Sequence, residues 1–238
     1  MKKLFEELDY VPTPIGGLSL RRRRGFARDT DIYEIKLGDD FLMSSICTAS
    51  EAALARLGLA ELTKESLDVV IGGLGLGYTA KAALEDERVR SLLVIEAIPE
   101  VIEWHEKGLL PLEPSLSGDS RCKLVQGDFF AMASAHGFDP NEPDRRFDAI
   151  LVDIDHSPRQ LLHPSHAAFY DESGLRHLAD RLNPNGVFGL WSNDPPGQQF
   201  CQNLENVFEV SRAEIFTFPN PLKDCDEAAT IYIARTGS

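Results

Sequence analysis

The chain has 238 residues, a length that suits one domain with a small addition and that can bury a full core. It is 43% hydrophobic and 26% charged, and its net charge of −14 opposes binding to nucleic acid and favours cationic or neutral partners. No apolar run approaches the roughly 20 residues of a membrane-spanning helix, so we expect no contact with a membrane.

The start of the chain and its cysteines favour a cytoplasmic protein. Lys2 and Lys3 are followed by acids rather than by the apolar core of an export signal. The cysteines lie far apart and form no CxxC pair, so we expect reduced thiols. They are Cys47, Cys122, Cys201 and Cys225.

Residues 1–65 predict a small β region followed by a helix. The segments Leu18–Arg24, Asp31–Leu37 and Phe41–Ile46 have the composition of short strands, and Gly38-Asp39-Asp40 predicts a hairpin turn between the last two. The helix is predicted to begin at Ser50, because a serine at this place accepts hydrogen bonds from free backbone N–H groups.

The basic run Arg21–Arg24 falls on the first of these predicted strands. Such a run can bind phosphate. It also suits a solvated edge strand, because Lys and Arg on an exposed edge oppose pairing with another chain. We interpret it as an edge strand.

The next segment has the order of a nucleotide-binding βαβ unit. An apolar strand at Val69–Ile71 ends in Gly72-Gly73-Leu74-Gly75-Leu76-Gly77. A helical pattern over Tyr78–Leu84 then leads to a second apolar strand, Leu92–Ile95, which is followed by Glu96.

The glycines let the backbone turn tightly and approach a ligand, and the first N–H groups of the new helix point at the same place. Glu96 comes about 20 residues after the last glycine, where an acid accepts both hydroxyls of a ribose. We therefore predict that Gly73, Gly75, Gly77 and Glu96 bind a nucleoside-bearing cofactor. The alternative is a βαβ unit whose tight turn binds nothing.

The rest of the chain predicts an α/β domain. Its last two strands have no helix between them, so we expect an antiparallel hairpin that closes an otherwise parallel sheet. The predicted strands are Lys123–Val125, Phe147–Val152, Val187–Trp191, Val210–Thr217 and Ala228–Ala234. The predicted helices are one through Val101, Ile102 and Trp104, and those at Phe129–Ala135, Glu172–Leu182 and Phe200–Val207. Asn183-Pro184-Asn185-Gly186 reads as a helix end and turn.

Acids follow two of these strands. Asp128 can accept a hydrogen bond from an adenine amino group or can cap the helix that starts at Phe129, and the sequence supports both interpretations equally. Asp153 and Asp155 are the predicted catalytic residues. Alternate residues of an extended segment point to one side, so both carboxylates are expected to face one substrate, attract a cationic amine and accept its proton. In the competing interpretation they cap the next segment or bind loop backbone.

The layout resembles the seven-stranded fold of class I S-adenosylmethionine-dependent transferases over residues 66–236. Within that class the chain is most similar to spermidine synthases and their methyltransferase-like relatives. The resemblance is carried by Ile71–Gly77, Val94-Ile95-Glu96, Gly127-Asp128, Leu151–Asp155 and Leu182–Gly186.

The resemblance implies an α/β, Rossmann-like class I methyltransferase fold with a C-terminal antiparallel hairpin. Residues 66–238 are expected to form the transferase domain, and residues 1–65 a small N-terminal β-hairpin region plus helix. The resemblance further implies that Glu96 takes the ribose, that Asp128 contacts adenine and that Asp153 lies at the reacting centre. The donor is expected to be S-adenosylmethionine or its decarboxylated form, without a metal. Because the family's β region often supports dimers, a homodimer is expected.

Two departures separate the chain from polyamine aminopropyltransferases. Their glycine loop contains an acid, in the pattern GGGDGG, where this chain has Gly75. Their acceptor motif reads DSSDP or DSTDP, whereas here the second acid, Asp155, follows Asp153 by two positions instead of three. An acid in the loop repels the carboxylate of intact S-adenosylmethionine, and with Gly75 this repulsion is absent.

Three functions remain open. The first is an S-adenosylmethionine-dependent methyltransferase that acts on a small molecule, with amines among the candidates. The second is a polyamine aminopropyltransferase that uses the decarboxylated donor. The third is a non-catalytic, nucleoside-binding dimer scaffold. Gly75 places methyl transfer slightly ahead and predicts tighter binding of the intact donor. Trp191 is either a stacking surface for a substrate or a core aromatic, and His156 has no assigned role.

Overall fold

A computed structural model describes residues 4–13, 16–25, 30–221 and 225–238. These residues form two β-sheets and six α-helices. The strands are β1 (Phe5–Thr13), β2 (Gly16–Arg24), β3 (Asp31–Leu37), β4 (Asp40–Ser44), β5 (Leu67–Gly72), β6 (Val89–Glu96), β7 (Cys122–Gln126), β8 (Phe147–Val152), β9 (Leu182–Ser192), β10 (Val210–Pro219) and β11 (Asp226–Arg235). The helices are α1 (Ala49–Ala60), α2 (Tyr78–Leu84), α3 (Pro99–Glu106), α4 (Phe129–Ala131), α5 (Glu172–Ala179) and α6 (Gln198–Val207). No helix in these ranges has the length and apolar composition needed to cross a membrane.

The first four strands form an antiparallel sheet in the order β1-β2-β3-β4. The interpretation of Arg21–Arg24 as an edge strand is wrong, because β2 lies between β1 and β3. Acids on both neighbouring strands pair with its arginines, and such cross-strand ion pairs suit an interior strand whose charged side chains are half-buried. The pairs are Arg21 with Glu7, Arg22 with Glu6, and Arg23 with Glu34.

The other seven strands form one sheet in the order β10-β11-β9-β8-β5-β6-β7. Strands β5 to β9 are parallel, while β11 runs antiparallel to β9 and β10 antiparallel to β11. The predicted seven-stranded sheet with a C-terminal antiparallel hairpin is confirmed. Because β5 pairs with β6 on one side and β8 on the other, the order in which the chain adds strands reverses at β5. Ligands of such sheets bind at this point, beside the carboxyl ends of the strands.

Both faces of the large sheet are covered, which is why β5 and β8 are buried along their whole length and read as continuous apolar runs. Helices α1, α2 and α3 pack on one face, and α4, α5 and α6 pack on the other. Leu18 and Leu20 of β2 join the buried cluster on the first face. The small sheet therefore shares a core with the large one, and the division after residue 65 into two units stays a prediction.

Two helix ends differ from the predictions. Helix α1 follows Thr48, which makes no side-chain capping bond, while the hydroxyl of Ser50 donates instead to Glu51. Helix α5 ends at Ala179, and the predicted turn Asn183–Gly186 lies inside β9 as an irregularity in its pairing with β8. Asn185 has a φ of 60°, a left-handed conformation that asparagine tolerates, so the turn signal produces a bulge rather than a separate loop.

Candidate active site

A cavity of about 770 Å³ lies at the carboxyl ends of the parallel strands, between the large sheet and strands β3 and β4. This volume falls within the range of small-molecule binding sites in proteins. Six of the predicted site residues line the cavity: Gly73, Gly75, Glu96, Asp128, Asp153 and Asp155. One fold feature therefore gathers residues that the sequence places on four separate strand ends.

Close backbone packing explains why residue 73 of the loop is a glycine. Gly73 has a φ of 92°, and a Cβ atom there would lie 2.2 Å from the carbonyl oxygen of Asp153. The backbone N–H of Asp153 also donates to the carbonyl of Gly72 over 2.9 Å. The glycine loop and the end of β8 are therefore in direct contact, which only a residue without a side chain permits.

Gly77 lies on the other side of the loop. It precedes α2 with a φ of 85°, and a Cβ atom there would meet His105 and Leu112 rather than the cavity. The predicted cofactor contact of Gly77 is corrected accordingly: its missing side chain makes room for the packing of α3 and the segment after it.

His105 holds the loop from α3, and nothing in the sequence marks it for that role. Its Nε2 lies 2.9 Å from the carbonyl oxygen of Gly75, and since a carbonyl only accepts, Nε2 carries the proton and donates. Burial lowers the pKa of His105, which favours the neutral ring.

Glu96 ends β6 and faces the glycine loop. Its Oε2 accepts a hydrogen bond from the backbone of Leu74 over 3.0 Å, and its Oε1 accepts one from Ile98 over 2.9 Å. Burial raises the pKa of Glu96, although these backbone N–H groups oppose the shift by stabilising the carboxylate. Backbone N–H groups of Gly75 and Ala97 act on the carboxylate in the same direction, so it is held firmly on the cavity wall, and its contact with ribose hydroxyls stays a prediction.

Asp128 caps α4, as one of its two interpretations states. Its Oδ1 accepts from the backbone N–H groups of Phe130 and Ala131 over 2.9 and 3.2 Å. Both bonds use the same oxygen, and the residue is exposed on the cavity wall. Contact with an adenine amino group therefore stays a prediction that capping does not oppose.

Asp153, directly after β8, is held by one side chain. The hydroxyl of Thr79, in the first turn of α2, donates to Oδ2 of Asp153 over 2.7 Å. Burial raises the pKa of Asp153, and the Thr79 bond opposes that shift. Thr79 is 4% exposed, and the sequence analysis missed it because a buried threonine in a helix carries no local signal.

Asp155 borders the cavity, but its side chain is 0% exposed and points into the loop that follows. It accepts hydrogen bonds from the backbone of Leu162 over 2.7 Å, from Nδ1 of His166 over 2.9 Å and from the hydroxyl of Tyr170 over 2.9 Å. The expectation that Asp153 and Asp155 face one substrate is wrong, because the chain bends after β8 instead of staying extended. The competing interpretation, in which Asp155 binds loop backbone, is the one observed.

Trp191, near the end of β9, lines the same cavity. Its indole Nε1 is enclosed and has no hydrogen-bond partner among the described residues. Trp191 also packs against the buried cluster on the first face of the sheet, so both of its interpretations stay open.

Comparison with curated proteins finds polyamine enzymes. The chain is 30% identical over 132 residues to a polyamine aminopropyltransferase of Sulfolobus acidocaldarius, covering 54% of this chain and 39% of that protein. It is 27% identical over 166 residues to polyamine aminopropyltransferase 2 of Pseudomonas aeruginosa (66% and 44%), and 27% identical over 154 residues to a spermine synthase of Saccharomyces cerevisiae (64% and 47%). The chain thus spans less than half the length of these relatives. No protein-family model matches the chain.

Solved structures give the same fold. A spermidine synthase from Thermotoga maritima superposes with a TM-score of 0.72 and 17% identity, covering 97% of this chain and 73% of that one. A probable spermidine synthase from Corynebacterium glutamicum gives a TM-score of 0.63 and 16% identity, covering 94% and 81%. The predicted resemblance to the spermidine synthase-like family is confirmed. None of the relatives named here is a methyltransferase, so the comparisons favour the second of the three functions over the first.

Proposed function

We propose that this chain is an aminopropyltransferase of the spermidine synthase type, which moves the aminopropyl group of decarboxylated S-adenosylmethionine to an amine. From the sequence, Gly75 placed methyl transfer slightly ahead of aminopropyl transfer, and the proposal reverses that ranking. The names of the curated relatives support the reversal, and because those relatives are longer than this chain, the activity, donor and acceptor all belong to the proposal.

The observation that carries the proposal is the carboxylate of Asp153. It opens on the cavity, Thr79 holds it in one orientation, and it forms no ion pair within the described ranges. A free alkylamine has a pKa of about 10, so at neutral pH it arrives as an ammonium ion and must lose a proton before it attacks carbon. A fixed carboxylate attracts that ion and accepts the proton.

The walls of the cavity fit the donor. Gly73 and Gly75 bring the loop backbone to the cavity, and Glu96 and Asp128 line it where we expect the ribose hydroxyls and the adenine. When bound, the donor supplies a carbon activated by a positively charged sulfur. The protein's own part is to fix the nucleoside through Glu96 and to place the amine beside Asp153.

Methyl transfer is the second candidate, and Gly75 favours it. No acid occupies the loop, and the sulfur of Met43 lies 2.7 Å from the place that a Cβ atom of residue 75 would take. Asp68, which could in principle have supplied the missing charge, lies at the start of β5 and pairs with Arg90 and Arg145. The loop therefore does not repel the carboxylate of the intact donor.

Calorimetry with intact S-adenosylmethionine, its decarboxylated form and 5′-methylthioadenosine tests the choice of donor. We expect the decarboxylated donor to bind more tightly than the intact one. In a separate turnover assay, we expect the enzyme to consume 1,4-diaminobutane together with the decarboxylated donor. Asp153→Asn should lower turnover by roughly 10²-fold or more at unchanged donor affinity, while the exposed control Asp144→Asn should not. Tighter binding of the intact donor would support methyl transfer instead, and binding of no adenosyl ligand would support the scaffold.

A further inference from the structure

We infer that Glu51, in the first turn of α1, is the second acidic residue of the acceptor site and binds the amine together with Asp153. The inference rests on the proposed function for the identity of the amine. It concerns a residue outside the glycine loop and outside the segment after β8, where the sequence places the acids of the site.

The position of Glu51 supports this role. The residue is 8% exposed and lines the same cavity as Asp153. The hydroxyl of Ser50 donates to its Oε2 over 2.8 Å, which holds the carboxylate at the start of a 12-residue helix. Helix α1 packs on β8 and β9 of the large sheet, and its first turn reaches the cavity that Asp153 lines directly after β8.

Neither carboxylate has a cation. Within the described ranges no ion pair joins Lys, Arg or His to Glu51 or to Asp153, and each accepts a hydrogen bond from one hydroxyl, of Ser50 and of Thr79 respectively. Buried carboxylates are normally paired or protonated, because burial without a partner is costly. Two such groups on one cavity therefore form a site that a ligand ammonium group completes.

The remaining titratable groups on this part of the cavity do not replace that cation. Tyr78 of α2 lies near Glu51, whose negative charge contributes, after burial, to a raised pKa of the phenol. Arg23 pairs with Glu34. His156, after β8, and Glu227, on β11, also line the cavity.

The two carboxylates influence each other. Burial first, and then the charge of Asp153, raise the pKa of Glu51 to about 7. Two neighbouring carboxylates cannot both ionise without repulsion, so near pH 7 Glu51 holds a proton in about half of the molecules. When an ammonium group enters, the proton leaves the carboxyl oxygen for solvent and the ammonium charge takes its place.

Glu51 explains how the acceptor site can lack an acid at the second position of the aminopropyltransferase motif. Asp155 is occupied by Leu162, His166 and Tyr170, so it has no free face for a substrate. The acceptor site takes its second charge from α1 instead.

Calorimetry of 1,4-diaminobutane at pH 7, in phosphate and in Tris buffer, counts the protons released on binding without any turnover. We expect about half a proton per amine for the wild type, because Glu51 is about half protonated at this pH. Glu51→Gln should bind the amine about tenfold more weakly or worse and release no proton, while exposed Glu65→Gln should match the wild type. Equal affinity and equal proton release in Glu51→Gln would overturn the inference, as would a wild type that binds no diamine at millimolar concentration.

Carboxyl carbon NMR titration supplies a second readout. We expect one carboxyl that titrates near pH 7, that disappears in Glu51→Gln, and whose pKa falls in Asp153→Asn. A Glu51 that titrates independently of Asp153 would overturn the pairing. Binding of 5′-methylthioadenosine should be the same in Glu51→Gln as in the wild type. A wild type that does not bind this nucleoside would contradict the proposed function, whatever the result for the pair of carboxylates.

Discussion

The hydroxyl of Thr79 donates a hydrogen bond to Oδ2 of Asp153 over 2.7 Å and so joins the first turn of α2 to the end of β8. Helix α2 begins beside the glycine loop, and its Tyr78 lines the same cavity as Asp153. Under the proposed function, this helix would orient the acid that meets the acceptor close to the donor, as a displacement reaction between two substrates requires.

Thr79→Val keeps the shape of the side chain and removes this bond. We expect a loss of about 1–3 kcal/mol in the free energy of unfolding, a lower turnover and an unchanged affinity for 5′-methylthioadenosine. Because the Thr79 bond lowers the pKa of Asp153, the pH at which turnover rises should move upward. Thr79→Ser should restore the pH profile. A Thr79→Val enzyme with the wild-type pH profile would show that the bond does not position Asp153.

Glu96→Ala should weaken binding of 5′-methylthioadenosine. The change leaves the ribose diol without acceptors and frees the backbone N–H groups of Leu74 and Ile98, so we expect a cost of roughly 1–3 kcal/mol, measured by calorimetry. Glu106→Ala, an exposed acid at the end of α3, is the matched control. Unchanged affinity of Glu96→Ala for every adenosyl ligand would contradict the assignment of the donor site.

Asp155→Ala should act on stability rather than on chemistry. Leu162, His166 and Tyr170 lose a shared acceptor, and the Tyr170 hydroxyl is left buried without one, so we expect a loss of about 2–4 kcal/mol by urea unfolding. Asp155→Asn keeps one carbonyl oxygen and should lose less. A fully stable Asp155→Ala protein without turnover would instead make Asp155 a catalytic residue.

The donor preference should respond to an acid in the glycine loop. Gly75 has a φ of 45°, and a Cβ atom would meet the sulfur of Met43, so Gly75→Asp is best introduced together with Met43→Ala. At ~4 Å and an effective dielectric of ~20, the acid repels the donor carboxylate by about 4 kcal/mol before screening. If a third of this repulsion remains after screening, the ratio of the affinities for the decarboxylated and intact donors should be about tenfold higher in the double variant than in Met43→Ala alone. The same ratio in both variants would show that residue 75 does not select the donor.

Glu51 should make stability depend on pH. Its pKa rises from 4.5 in the unfolded chain to about 7 in the folded protein, so between these values the folded state binds more protons than the unfolded state. The free energy of unfolding therefore falls as pH rises through this window, by on the order of 1–3 kcal/mol. Glu51→Gln removes this loss, so its stability relative to the wild type should improve from pH 5 to pH 8 in urea unfolding. A constant difference between the two proteins over this range would contradict the raised pKa.

Local signals account for the elements that agree with the predictions. Helix α2 and strand β8 have the predicted bounds, because a glycine turn and an unbroken apolar run both act over a few residues. Strand β1 is missing from the predictions. Its acids and apolar residues do not alternate cleanly, and two of its acids, Glu6 and Glu7, pair with arginines of β2, which no local pattern displays.

The sequence by itself determined the βαβ order, the parallel sheet with its final hairpin, and the acids at the strand ends, since each depends on neighbouring residues. Only the tertiary structure decided which acids face the cavity. The bend after β8 turns Asp155 into its own loop, and the packing of α1 on the sheet brings Glu51 to the cavity that Asp153 lines. Such contacts join residues far apart in the chain through the burial of apolar faces, so no local pattern of residue types specifies them.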